Sequence, residues 1–327
     1  MVRHLAPNPL EMARRRHQRR HGDGAMVMVG DQVDVDGRVL RYAVSDNDAG
    51  GSQIWAVNLH GYFSGGAMYW RESALLAERF GWRVVNPSLP GFGGSDPLPW
   101  GEISMASLAR VVERLLDHLG AGPVVVLGHS MGGAVAVEFA SRRPERTLGI
   151  IYRDGVATPA WKDRRGLIPS LLSPVLPDIA PVADIIAAIV LDVPDLFVGR
   201  ILSTVTSMLP DVRANMRTLA TTAPIGSMLL TVDLRNEVRQ LRAVGLPVLA
   251  EWGCFDRVAT ARAAEEFAAL AGTKVQWLPG GHSWMLARPQ GQSDVLAHLP
   301  SGSAFVRQVE ARRARLDAAR RELPLAN

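Results

Sequence analysis

Between Pro123 and Asp154 the chain spells out a strand, a helix and a second strand, and this unit constrains the fold more than any other stretch. "PVVVLG" (123–128) is an almost unbroken apolar run. Strands of this kind are buried on both faces, as in a parallel sheet covered by helices. A helical stretch follows from about 131 to 143 and stops before Pro144, and "TLGIIYRD" (147–154) forms the next strand. Parallel strands need a crossover rather than a hairpin, so the alternation predicts an α/β fold with helices on both faces of the sheet.

The pattern extends in both directions. "MVMVGDQVDVDGRVLRYAVS" (26–45) sets Asp36-Gly37 between two strand-like runs and predicts a β-hairpin. "IWAVNL" (54–59) closes on "HGYFSGG", an amphipathic stretch covers 67–80, and a strand from 83 runs into the Gly/Pro-rich loop "NPSLPGFGGSDP". Over 104–119, Met105, Leu108, Val111, Val112, Leu115, Leu116 and Leu119 recur at helical spacing, with Gly120 as the stop. From 157 to 232 the chain is rich in Leu, Ile, Ala and Pro with helical periodicity and no clear strand. The alternation then resumes with "LPVLAEWG" (246–253), a helix at 260–271 and "KVQWLP" (274–279). The expected organisation is a basic tail (1–25), an α/β core in two pieces (26–156 and 233–300), a helical insertion (157–232) and a C-terminal helix (301–327). That last helix gathers Phe305, Val309 and Leu316 on one side and many arginines on the other, and is expected as a solvated surface helix.

Composition narrows the function classes. A chain of 327 residues, 47% apolar and 21% charged, can build one large core with an insertion. "IIAAIVLDVPDLFV" (185–198) is broken by Asp192, Pro194 and Asp195, so no transmembrane helix is expected. Arg14, Arg15, Arg16, Arg19 and Arg20 are followed by Gly and Asp rather than by an apolar run, which argues against a secretory signal and for a cytoplasmic location. A net charge of +4 gives no basic footprint for nucleic acid. The single cysteine, Cys254, excludes an internal disulfide and reads as a small buried filler. His17 and His21 lie in the tail, and no C-x-x-C or H-E-x-x-H spacing occurs, so neither a metal nor an organic cofactor is expected. All the basic residues except Lys162 and Lys274 are arginine, which points to a GC-rich bacterial genome.

The chemistry concentrates after the valine strand. Gly128-His129-Ser130-Met131-Gly132 fits G-x-S-x-G, in which a serine sits on a sharp strand-to-helix turn. Side chains at the two glycine positions would collide with neighbouring backbone, and the turn lifts the hydroxyl clear of the sheet beside a helix N-terminus. A serine hydroxyl needs a base, and the base an orienting acid. In this architecture the chain order is serine, acid, histidine. His282 in "LPGGHSW" follows the last predicted strand and is the expected base, with His298 beyond that loop. Asp256 in "WGCFDRV" is the expected acid, and Asp154 in "IIYRDGVATP" is the alternative, since both end strands on the same rim. An acyl intermediate also needs two N–H donors. Met131, next after the serine, and Tyr62 in "HGYFSGG" are expected to supply them, with His60 and Gly61 supporting that loop.

Taken together, "HGYFSGG", "NPSLPGFGGSD", "GHSMGG", "WGCFD" and "GGHSWMLARP" resemble the α/β-hydrolase family over about residues 35–295. The resemblance implies a mostly parallel eight-stranded sheet flanked by helices, with a helical lid inserted between strands six and seven. It is similar to the lid-bearing branch of esterases, lipases, haloperoxidases, epoxide hydrolases and haloalkane dehalogenases. The last two use an aspartate nucleophile where this chain has Ser130, so acyl transfer is the expected chemistry. "YRDGVATP" resembles the segment where some dehalogenases carry their acid, which keeps Asp154 open. Carbon–carbon bond hydrolases of aromatic breakdown also use Ser, Asp and His, though their motif often has Asn in place of His129. A ligand-binding member with little turnover is a further alternative. The insertion offers Leu171, Leu172, Leu176, Ile185, Ile186, Ile189, Phe197, Ile201, Leu202, Met208, Met216, Met228 and Leu229, partly for its own core and partly for an apolar pocket. The expected partner is a neutral, hydrophobic small-molecule ester.

Overall fold

The computed structural model describes residues 26–47, 54–163 and 201–322. The basic tail and the apolar residues from Leu171 to Phe197 lie outside them. The chain opens with a hairpin, β1 (Met28–Val35) and β2 (Arg38–Ser45), turned at Asp36 and Gly37 with φ of 53° and 80°. Two positive φ values are what a two-residue hairpin turn demands, and Asp-Gly adopts them at low cost. Strand β3 (Trp55–Leu59), helix α1 (Trp70–Phe80) and β4 (Arg83–Pro87) follow. Then come α2 (Met105–His118), β5 (Val124–His129), α3 (Met131–Arg142) and β6 (Thr147–Arg153).

The insertion contributes α4 (Ile201–Arg217) and α5 (Leu219–Leu229) before α6 (Arg235–Ala243) leads into β7 (Val248–Gly253). Helix α7 (Ala261–Ala271), β8 (Val275–Leu278), the short α8 (Trp284–Ala287), α9 (Gly291–His298) and α10 (Pro300–Glu322) complete the described chain.

The strands form one eight-stranded sheet in the order β1-β2-β4-β3-β5-β6-β7-β8. The β1–β2 and β2–β4 pairs are antiparallel and every later pair is parallel. Alternation along β5 sends Val124 and Val126 to one face and Val125 and Leu127 to the other. The first face packs under α2 and α3 with Phe139, and the second under α1 and α10 with Leu76 and Phe305. The chain leaves β3 for β4 on one side and returns to β5 on the other. The parallel strands therefore diverge in connection between β3 and β5, and the crevice outside their C-terminal ends is where open α/β sheets bind ligands.

Two expectations are corrected. Helix α10 is not merely solvated. Phe305 and Val309 are buried against the sheet, and Arg312 donates to the Pro144 and Thr147 carbonyls at 2.8 Å each. Its apolar side is narrow but meets the β6–β7 face, which would otherwise be open. Cys254 is exposed rather than buried, because it has already left β7 at a point where the chain turns outward over the rim.

Candidate active site

Every residue singled out by sequence for chemistry follows the C-terminal end of a parallel strand. His60, Gly61 and Tyr62 follow β3, Ser130 follows β5, Asp154 follows β6, Asp256 lies three residues beyond β7, and His282 lies in the loop after β8. Ser130 has φ 52° and ψ −116°, a left-handed region that a side chain enters only under constraint. Its amide donates to the Arg153 carbonyl at 3.0 Å, and its carbonyl accepts from Gly133 at 2.9 Å and Val156 at 3.3 Å, which binds the turn to the end of β6. A Cβ added at Gly128 would overlap the Gly132 carbonyl, and one at Gly132 would overlap the Leu59 carbonyl. The expected glycine requirement thus has a definite source: the helix start is pressed against β5 and β3. The first turn of α3 begins at Met131, so its amide lies at the helix N-terminus.

The loop after β3 lies directly against this turn. His60 is fully buried, accepts the Leu89 N–H at Nε2 (2.8 Å) and places Nδ1 2.7 Å from the Gly61 carbonyl. These partners require the neutral Nδ1–H form, and burial lowers the ring to about 4. Tyr62 is buried, its hydroxyl donates to the Thr222 carbonyl at 3.1 Å, and its ring meets Phe92 edge-on at 5.6 Å. Among the described residues the Tyr62 N–H has no acceptor.

On the other side, His282 Nδ1 lies 2.9 Å from Asp256 Oδ2, both side chains being almost wholly buried. The second Asp256 oxygen accepts from Val258 (2.7 Å) and Ala259 (2.9 Å), so the carboxylate is oriented from behind. Asp154 is engaged differently. Its Oδ1 accepts from Gly253 N–H and its Oδ2 from Trp284 Nε1, each at 2.8 Å. It too is a non-glycine residue at positive φ, 45°. Asp154, Asp256 and His282 each bring a polar atom within 4.8 Å of the others. Burial, and then the neighbouring Asp256 charge, push the Asp154 carboxyl well above the usual range. His298 stands apart, on the surface beside Arg79.

Several residues escaped the sequence reading. His129, the variable residue of the motif, receives the Tyr69 hydroxyl at Nδ1 (2.6 Å) and donates from Nε2 to the His282 carbonyl (2.7 Å). It therefore ties the turn bearing Ser130 to the loop bearing His282. Burial and the neighbouring His282 and Arg153 charges hold it neutral. Beneath the rim, Arg153 pairs with Glu72 at 2.5 Å and donates to Asn58 at 2.7 Å, while Gln292 donates to Glu251 at 2.9 Å. A charged residue inside an otherwise apolar strand, Arg153 in "IIYRD" or Glu251 in "VLAEWG", was the available signal. Of the insertion's apolar residues, Leu229 is buried in the main core, Met228 packs against it and Met216 is exposed.

The comparisons agree with this architecture. Residues 57–172 match the model of the α/β-hydrolase fold. A non-heme haloperoxidase relative in Mycobacterium phage D29 is 27% identical over 74% of this chain and 85% of its own length. The 2-hydroxy-6-oxo-6-phenylhexa-2,4-dienoate hydrolase of Burkholderia cepacia is 37% identical, but the match spans only 32% of this chain and 37% of that enzyme. Among solved structures, a thermophilic esterase from Thermogutta terrifontis superposes with a TM-score of 0.58 at 22% identity, over 87% of this chain and 98% of that one. Sheet order, strand-end site and the match over residues 57–172 agree, and the chain has the α/β-hydrolase fold.

Proposed function

We propose that the protein is a serine hydrolase that cleaves a neutral, hydrophobic carboxylic ester through an acyl-enzyme on Ser130. The observation that carries this reading is the 2.9 Å contact between His282 and Asp256 on the rim where Ser130 stands in a left-handed turn. In the proposed cycle His282 takes the Ser130 proton as Oγ attacks the ester carbonyl. Asp256 orients the imidazole and stabilises its charge. The Tyr62 and Met131 amides hold the oxyanion. The C–O bond to the alcohol breaks as His282 returns the proton to the leaving oxygen. Water then gives a proton to His282 and attacks the acyl carbon, and the Ser130 oxygen leaves with that proton as the acid is released. The hydrophobic substrate class rests on the apolar residues of the insertion.

Labelling with a fluorophosphonate followed by peptide mapping tests the nucleophile, and Ser130→Ala tests turnover of a p-nitrophenyl ester. Label on Ser130 and loss of about 10³-fold or more in kcat are expected. Wild-type rates in the alanine variant would overturn the assignment. The Burkholderia relative favours a second reading, hydrolysis of a carbon–carbon bond in a vinylogous diketone. Activity on such a diketone with none on simple esters would establish it in place of the first.

A further inference from the structure

The insertion does more than sit above the rim. Asp211, Asn215, Thr218 and Thr222 recur at helical spacing along α4 and the start of α5 and face the loops that carry the site. Asp211 Oδ2 accepts the Met68 N–H at 3.1 Å, Thr218 donates to the Gly91 carbonyl at 3.1 Å, and the Thr222 carbonyl takes the Tyr62 hydroxyl. Asn215 is the most committed of the four. It is fully buried, its Nδ2 donates to the Phe63 carbonyl at 2.9 Å and the Ser64 carbonyl at 3.1 Å, and its Oδ1 accepts the Gly93 N–H at 2.9 Å. Two carbonyls on one side and an N–H on the other leave a single orientation for the amide.

What Asn215 holds is under strain. Phe63 has φ 63°, a conformation costly for an aromatic residue. Upstream, the same loop is tied by His60 and Ser64 to the Gly61 carbonyl, at 2.7 and 2.8 Å. The Tyr62 amide therefore lies between an anchor from the core and an anchor from the insertion. Released from Asn215, Phe63 can relax to a commoner backbone conformation, and the direction of the Tyr62 N–H changes with it.

We propose that Asn215 is a positioning residue for the oxyanion donor, so that docking of the inserted helix α4 and competence for turnover are one event. This rests on the reading of Tyr62 as an oxyanion donor in a Ser130 hydrolase. Asn215→Ala removes all three hydrogen bonds, and Asn215→Asp keeps the acceptor for Gly93 while losing both donated bonds. Each variant is compared with wild type for p-nitrophenyl ester kinetics and for inhibition by a trifluoromethyl ketone, whose adduct places an oxyanion, against the matching methyl ketone. Near-UV circular dichroism reports folding, and Asn215→Asp provides the test if the alanine variant does not fold. A fall in kcat of roughly 10- to 100-fold is expected, with KM within about threefold and trifluoromethyl ketone affinity lost in step with kcat/KM. Methyl ketone affinity stays near wild type. Wild-type kcat in a folded variant, a loss confined to KM, or a fall in kcat with trifluoromethyl ketone affinity retained would overturn the role of Asn215. A Ser130→Ala variant that still turns over overturns the underlying reading and this one with it, whereas an inactive Ser130→Ala beside unaffected Asn215 variants overturns only the latter.

Discussion

The ends of β6 and β7 are neighbours built from similar residues and put to different use. Each strand carries a buried charged residue near its C-terminus, Arg153 or Glu251, and each is followed by an aspartate on the rim. At β6 the charged groups are held by partners within the fold, although Arg153 Nε has none among the described residues. Arg153 meets Glu72 and Asn58, and both Asp154 oxygens are occupied by N–H donors. At β7 Glu251 leaves Oε2 without a partner among the described residues, and Asp256 turns one oxygen to His282. Residue type and position on the rim are thus not enough to assign a role. The donors that surround a carboxylate decide whether it braces loops or serves an imidazole.

Neutralising the two aspartates separately should have the largest effect on turnover and should separate their roles. In the proposed cycle Asp256→Asn leaves His282 without a charged partner and costs about 10³- to 10⁴-fold in kcat. Asp154→Asn retains an acceptor for one of the two N–H groups and leaves kcat within about tenfold, while costing about 1–3 kcal/mol of stability from the donor it no longer satisfies. Ester kinetics and urea denaturation of both variants check this. The reverse ranking in kcat would move the acid to Asp154.

The buried layer beneath the rim gives the next effect. Arg153→Met removes the guanidinium that pairs with Glu72 and leaves buried acids uncompensated, so a loss of about 3–5 kcal/mol of stability is expected, read as a lowered urea denaturation midpoint. A midpoint unchanged from wild type would mean that the pair contributes no net stability. A smaller effect, read as a slope, concerns Glu251. Burial pushes its carboxyl from 4.5 up to about 8. Between those values the folded chain keeps a proton that the unfolded chain has released, so Glu251 makes stability fall as pH rises through that window and level off above it. Glu251→Gln has no such proton and keeps an acceptor for Gln292. Its Tm should therefore fall less than that of wild type between pH 5 and 8, and parallel profiles would contradict the raised value.

Much of this was legible in the sequence because it rests on local periods. The valine alternation of β5, the seven apolar positions of α2 and the Asp36-Gly37 turn each fix their own conformation within a few residues, and the structure places each element within a few residues of expectation. The turn at Ser130 was legible for the same reason, since its glycines are required by contacts within the strand–helix unit and with the adjacent strand. Helix α10 and Cys254 were misjudged because burial depends on what arrives from elsewhere in the chain, the open β6–β7 face in one case and the outward turn after β7 in the other.

By itself, then, the sequence determined the order of strands and helices, the parallel character of the sheet, the insertion after β6 and the strained serine turn, because these follow from side-chain period and local sterics. The tertiary structure alone decided which aspartate faces His282, that His129 ties the Ser130 turn to the His282 loop, and that Asn215 reaches the β3 loop. Those contacts join residues 26, 153 and 152 positions apart, and no local pattern records how a loop is directed once the sheet has twisted and its neighbours have packed.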